Sequence, residues 1–269
     1  MYPRLTLSLL LCLPALHAEG LDGTIGYTAR ELDCARFSET SQSKILTESG
    51  GRSRRQTSSR AGMWQFRATV SKEGVTLEGW LDSLSLSRRS AEAVISPDTD
   101  GLLGGRYRGM LSQSGQYTSI VQPFVPDEVS EVADMSTALY DFFPPLPPKP
   151  LKQGQVWSDS GGLTISRLPD STASGTALLR FQLDRRHGAE SAPTATDTLP
   201  MKLQQVTDEH GRFVWHPSIG LMSRDRTIVV ETTVPPSQSV RQAVRSRLEQ
   251  HITLHRDPNV PHCPASRGA

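Results

Sequence analysis

Most of the residues from which sites are commonly built are scarce in this sequence. Its 269 residues hold three cysteines, Cys12, Cys34 and Cys263, too few and too far apart for a thiolate metal cluster. The single asparagine, Asn259, is followed by Val-Pro, so there is no N-glycosylation acceptor. Neither sign of charge dominates: 29 basic side chains face 28 acidic ones, which argues against nucleic acid as a partner. Apart from Leu5–Leu16 there is no long apolar run, and that run is too short to span a membrane.

Catalytic signatures are equally sparse. Asp98-Thr99-Asp100-Gly101 starts like a calcium loop but lacks the later carboxylates that would close one. Gly101-Leu102-Leu103-Gly104-Gly105 has no Lys-Ser/Thr and is no phosphate loop. Trp215-His216-Pro217-Ser218-Ile219-Gly220 is not a nucleophile elbow and reads as a turn. The seven histidines are scattered, and His251 and His255 would share a face only on a helix. These gaps predict a protein that is not an enzyme, with no cofactor and no metal.

The N-terminus is informative. Arg4 precedes the apolar Leu5–Leu16, and His17-Ala18 precedes Glu19, the pattern of a secretory signal peptide of about 18 residues. It predicts a mature chain of 19–269, periplasmic or secreted from a bacterium. Large leucines before Cys12 stand where a lipidated cysteine needs small residues. In an oxidising compartment the remaining pair, Cys34 and Cys263, is most simply one disulfide joining the two ends.

What is abundant is turn chemistry, with 21 glycines and 19 prolines between alternating segments. Trp64, Phe66, Ala68 and Val70 alternate with polar residues, then Lys72-Glu73-Gly74 turns the chain into Val75, Leu77, Gly79 and Leu81. The phase slips afterwards to Leu84 and Leu86, predicting a bulge near Asp82-Ser83. Strands are predicted at 21–28 and 42–48, and residues 50–56 as a basic turn; Arg52, Arg54, Arg55 and Arg60 make one basic cluster. One strand block is thus expected over 21–121 and a second over 153–256, followed by a tail, 257–269. Residues 237–256 fit either period: Val240, Val244, Leu248 and Ile252 are four apart, yet all even. Context favours a strand.

Between the blocks lies the element that organises the rest. Asp127-Glu128 opens a run with Val129, Val132, Ala133, Met135, Leu139, Phe142 and Phe143, the spacing of an amphipathic helix. Pro144-Pro145-Leu146-Pro147-Pro148-Lys149-Pro150 then enforces a stiff, extended connector. The expectation over 127–150 is one helix and its connector. Together the parts predict a mainly β protein: a curled antiparallel sheet, an incomplete barrel, covered by one amphipathic helix. Trp64, Phe66, Leu77 and Leu81 with Leu139, Phe142 and Phe143 would then form either a filled core or an apolar ligand cavity.

The junction from Pro144 to Trp157, set between a helix and further strands, resembles that of an uncharacterised family of bacterial envelope proteins, in which a Gly-Asp-x-Trp type motif opens the second half. Leu151, Gly154 and Trp157 match, and Gln155 stands where an acid is usual. That family is similar in turn to the half-barrel carriers of lipoproteins and glycolipids, the LolA and LppX type. The resemblance implies a half-barrel over residues 20–256 and a carrier of a lipid or other apolar ligand. The alternative is an envelope interaction domain with a filled core, binding a protein partner.

Overall fold

Strand alternation becomes one antiparallel sheet in the computed structural model, which describes residues 25–173, 175–191, 203–236 and 241–257. The expected signal peptide, Cys12, Cys263 and all but the first residue of the tail lie outside them. The first half supplies β1 (Arg36–Ser49), β2 (Arg52–Ser71), β3 (Gly74–Arg89), the short β4 (Val94–Ile95), β5 (Tyr107–Leu111) and β6 (Tyr117–Val121). The second supplies β7 (Val156–Ser158), β8 (Leu163–Ala173), β9 (Thr176–Ser191), β10 (Leu203–His216), β11 (Gly220–Val234) and β12 (Val244–Arg256).

The order across the sheet is β6-β5-β3-β2-β1-β12-β11-β10-β9-β8-β7, with β4 paired to β3. Each half is a meander, and the two join where the first strand meets the last: Phe37 faces Arg256 and Ser49 faces Val244. The sheet is therefore continuous but not closed. Because β6 and β7 are its two opposite edges, residues 122–155 must cross a whole face to connect them. This strap packs against the inner face, and residues from both wings meet it: the Phe66 ring of β2 lies 5.7 Å from that of Phe143, and Arg224 of β11 donates to the Phe142 carbonyl at 3.2 Å.

The strap corrects one expectation. Its predicted apolar stripe is buried, Val129, Met135, Leu139, Phe142 and Phe143 included, but only α2 (Asp127–Ser130) is helical. The reason is local. The Asp134 carboxylate accepts from the Ser136 N–H at 2.9 Å, the Ser136 hydroxyl at 2.6 Å and the Thr137 hydroxyl at 2.8 Å, a turn that competes with helical hydrogen bonds. Apolar residues at helical spacing are here gathered by turns.

Other boundaries shift similarly. Of the strand expected at 21–28, residues 21–24 lie outside the described residues and 25–28 form a loop that leads into the helical turn α1 (Ala29–Leu32), opened by a reciprocal cap between Thr28 and Glu31. The basic turn contracts to Gly50-Gly51, since Arg52 already opens β2. The bulge falls where the phase slip predicts, Trp64 pairing with Leu81 while Met63 pairs with Ser83, which leaves Asp82 as the extra residue. In the second block Leu203–His216 form one strand that runs through Gly211. Residues 244–256 are a strand, paired on both sides, and this separates the cases: Ile252 and Leu254 are buried while His251 and His255 are exposed.

Candidate functional site: the inner face beyond the strap

Parity fixes what the inner face carries. Trp64, Phe66 and Ala68 of β2 point inward, so Arg60, Ser58 and Gln56 do too. Phe37 carries Glu39, Ser41, Ser43 and Ile45 inward on β1; Leu254 does the same for Ile252, Gln250 and Leu248 on β12. Registers align these into rows across the four central strands. Arg60, Ser41, Ile252 and Arg226 form one row; two residues further out, Ser58, Ser43, Gln250 and Ile228 form the next. Gln56, Ile45, Leu248 and Val230 follow, with Val244 and Val234 paired at the far end.

At the strap end this face is filled. The seven residues proposed from sequence as ligand contacts are brought together there, and they pack on one another. Trp64 and Phe66 stack at 6.1 Å, Phe142 sits 5.7 Å and 5.3 Å from them, and Phe143 sits 5.7 Å from Phe66. Leu77, Leu81 and Leu139 are buried in the same cluster. Gly79 makes this fit possible: a Cβ there would lie 2.8 Å from the Phe66 ring.

The strap is tied down by polar contacts from the sheet. Arg224 donates to the Asp141 carbonyl and, at 3.2 Å, to that of Phe142. The Tyr27 hydroxyl donates to the Pro144 carbonyl at 2.9 Å, and the Leu146 N–H donates to the Ser114 carbonyl at 2.9 Å. Beneath lies a charge network that the motif search missed. Glu209 receives Arg224 at 2.9 Å, Arg226 at 3.3 Å and Arg185 at 3.5 Å. Burial alone would raise the Glu209 carboxyl, but the three arginines outweigh it and hold it below its usual range. Burial and the neighbouring Arg226 bring the Arg224 guanidinium down to about 10, so it stays charged at neutral pH. A second pair, Glu39 and Arg60 at 2.5 Å, is completed by the Trp64 Nε1–H at 2.9 Å. Part of the signal was present: Glu39, Arg60, Arg185 and Glu209 share a parity with buried apolar residues of their own strands, Phe37, Trp64, Leu183 and Phe213.

Beyond these groups the face opens. A cavity of about 370 Å³ lies between strap and sheet, walled by Arg60, Arg226, Ile45, Ile228 and Leu248 on the sheet and by Asp134 and Asp141 on the strap. From there the outer rows are half-exposed, and no segment of the described chain packs over Val230, Val234 or Val244. The basic cluster divides: Arg52, Arg54 and Arg55 are exposed at the hairpin tip, whereas Arg60 belongs to the cavity wall. Among the described residues no group of three or more His, Cys, Asp or Glu side chains is placed to hold a metal ion. No helix there is long and apolar enough to cross a membrane. Asp98 accepts from the Asp100 N–H at 2.9 Å, an ordinary Asx turn.

Cys34 is one half of a disulfide, and its expected partner lies outside the described residues. Asp257 leaves β12 donating to the Arg36 carbonyl at 2.8 Å, beside Cys34.

No family model matches the chain, and no curated protein matches it in sequence. Among solved structures it is similar to lipovitellin, described for its lipid–protein interactions, at 14% identity and a TM-score of 0.48, over 88% of this chain. It spans only 26% of that protein's chain. A domain from Vibrio parahaemolyticus, described as an outer-membrane lipoprotein-sorting protein, is similar at 9% identity and a TM-score of 0.16, over 83% of this chain and 87% of that one. The β-barrel of the InvG secretin from Salmonella shares 11% identity at a TM-score of 0.12, over 87% and 66% of the two chains.

Proposed function

We propose that this chain is a non-enzymatic, extracytoplasmic binding protein that holds an amphiphilic ligand, such as a lipid, on the outer half of its inner face. One observation carries the reading. The strap fills and seals one end of the concave face, while the other end leaves Ile45, Ile228, Val230, Val234, Val244 and Leu248 half-exposed beside an open cavity. A ligand would replace the missing cover. The aromatic cluster is then the rigid support of the site, and the contacts lie further out on the same face, on β1, β11 and β12. Secretion through the N-terminal signal and a Cys34–Cys263 disulfide belong to the same proposal.

Photo-crosslinking tests it. A fatty acid carrying a diazirine on its acyl chain should label peptides from 43–49, 228–234 and 244–250, and Ile228→Asp with Leu248→Asp should abolish the labelling. Labelling scattered over the outer face would contradict the site. A second reading has its own observation: edge strand β6 and the loop after it expose Ile120 at 66% and Phe124 at 81%. Crosslinking confined to a protein partner at Ile120–Phe124 would favour an interaction domain instead.

A further inference from the structure

The amphiphile site has two chemically distinct ends. Its inner row places Arg60 and Arg226 on either side of Ser41 and Ile252, and both guanidiniums wall the cavity. Arg226 is deeply buried, its side chain 9% exposed, and among the described residues it donates to Glu209, an acceptor shared with Arg224 and Arg185. Among the described residues the buried Nε atoms of both Arg60 and Arg226 have no hydrogen-bond partner. Two carboxylates, Glu39 and Glu209, thus serve four arginines, Arg60, Arg185, Arg224 and Arg226, which leaves the sheet wall of the cavity with surplus positive charge.

The strap wall is opposite in sign but already committed. Asp134 spends its oxygens on Ser136 and Thr137, and Asp141 faces Arg224 electrostatically. Four residues outward along each strand, roughly 14 Å away, the face becomes aliphatic at Ile45, Leu248 and Val230.

We infer that the cavity beside Arg226 and Arg60 receives the anionic oxygen headgroup, carboxylate or phosphate, of a single-chain amphiphile, whose tail runs outward over Ile45, Leu248 and Val230. This rests on the amphiphile reading above and adds to it the headgroup class, the residues that recognise it and the direction in which the ligand lies. A buried charge with spare donors discriminates strongly between an oxyanion and a neutral headgroup on the same chain.

The test uses ligands that differ only in the head. Myristate is compared with myristyl alcohol, and myristoyl lysophosphatidate with monomyristoylglycerol, by competition against a fluorescent fatty acid on the full mature chain. Inorganic phosphate alone is the fifth ligand. Each anionic member should bind at least roughly tenfold tighter than its neutral partner. Arg226→Gln should erase that preference while sparing the neutral ligands; Glu209 keeps Arg224 and Arg185, so the variant retains its ion pairs. Arg226→Lys should keep part of the preference.

Equal binding of acid and alcohol, or an Arg226→Gln variant with its preference intact, would overturn the headgroup inference and leave the amphiphile reading standing. Failure of all four acyl ligands would overturn both. Competition by inorganic phosphate alone, lost in Arg226→Gln, would reassign the cavity to a free oxyanion and overturn the outward tail.

Discussion

At the scale of single residues, the unusual feature is ionic chemistry placed in core phase. Arg224 both neutralises Glu209 and holds two carbonyls of the strap. Replacing it by Met removes those ties and part of the neutralisation of a buried carboxylate, at a cost of roughly 3–5 kcal/mol. Urea unfolding of Arg224→Met should show that loss, and Glu209→Gln in the same chain should recover part of it, because the charge left behind is gone. Glu209 also predicts an acid response. Its folded carboxyl lies below the ordinary value of 4.5, so its contribution is complete above that pH and fades as the pH falls through the lower, folded value. The stability gap between wild type and Glu209→Gln should therefore shrink on acidification below about 4.5; a constant gap would mean that the arginines do not hold the carboxyl down. None of this network is a sequence motif. It could be read only from phase: Arg224, Arg226, Arg60, Glu39 and Glu209 occupy positions where their strands otherwise place Leu, Ile, Phe or Trp.

At the scale of elements, the strap shows how far a pattern can be trusted. Its apolar spacing was legible and so was its place over the sheet, because those residues must be buried whatever the backbone does. Its helicity was not, because Asp134, Ser136 and Thr137 offer side-chain hydrogen bonds that no hydrophobic period reveals. The element is held in place by its end as much as by its stripe. Gly115 has φ +93°, and a Cβ there would meet the Pro144 carbonyl at 2.5 Å and the Tyr27 ring at 2.9 Å. Gly115→Ala should thus lower stability by roughly 2 kcal/mol or more, combining the left-handed backbone cost with displacement of the strap. Phe142→Ala, which empties a ring contacting Phe37, Trp64, Phe66 and Phe143, should cost about 3–5 kcal/mol. Both are read by chemical denaturation. The tail illustrates the converse, since Val244, Leu248 and Ile252 satisfy the helical and the strand period alike. Only pairing with β1 and β11 decides between them.

At the scale of the whole molecule, the architecture follows from one topological fact: the first and last strands meet at the middle of the sheet, so the mid-chain connection must cross between its edges. The sequence shows two strand blocks around a different kind of segment, and that much of the fold was legible. The pairing of β1 with β12 was not, because no local signal reports a partner about 200 positions away; the proposed disulfide was the one hint. The Cys34–Cys263 pairing should reveal itself as two alkylation labels gained only after reduction, with a stability loss of up to roughly 5 kcal/mol. The residues singled out from sequence, on β2, β3 and the strap, pack together as core, whereas the proposed site lies on β1, β11 and β12, whose outer apolar residues carry no motif. The half-buried outer rows are where a ligand would sit. Native mass spectrometry of the mature protein purified without detergent, followed by organic extraction, addresses them most directly. The account predicts a co-purifying or readily loaded amphiphile that is lost from Ile228→Asp/Leu248→Asp while the fold persists. A clean ligand-free mass, unchanged when fatty acids and lysophospholipids are offered, would contradict it.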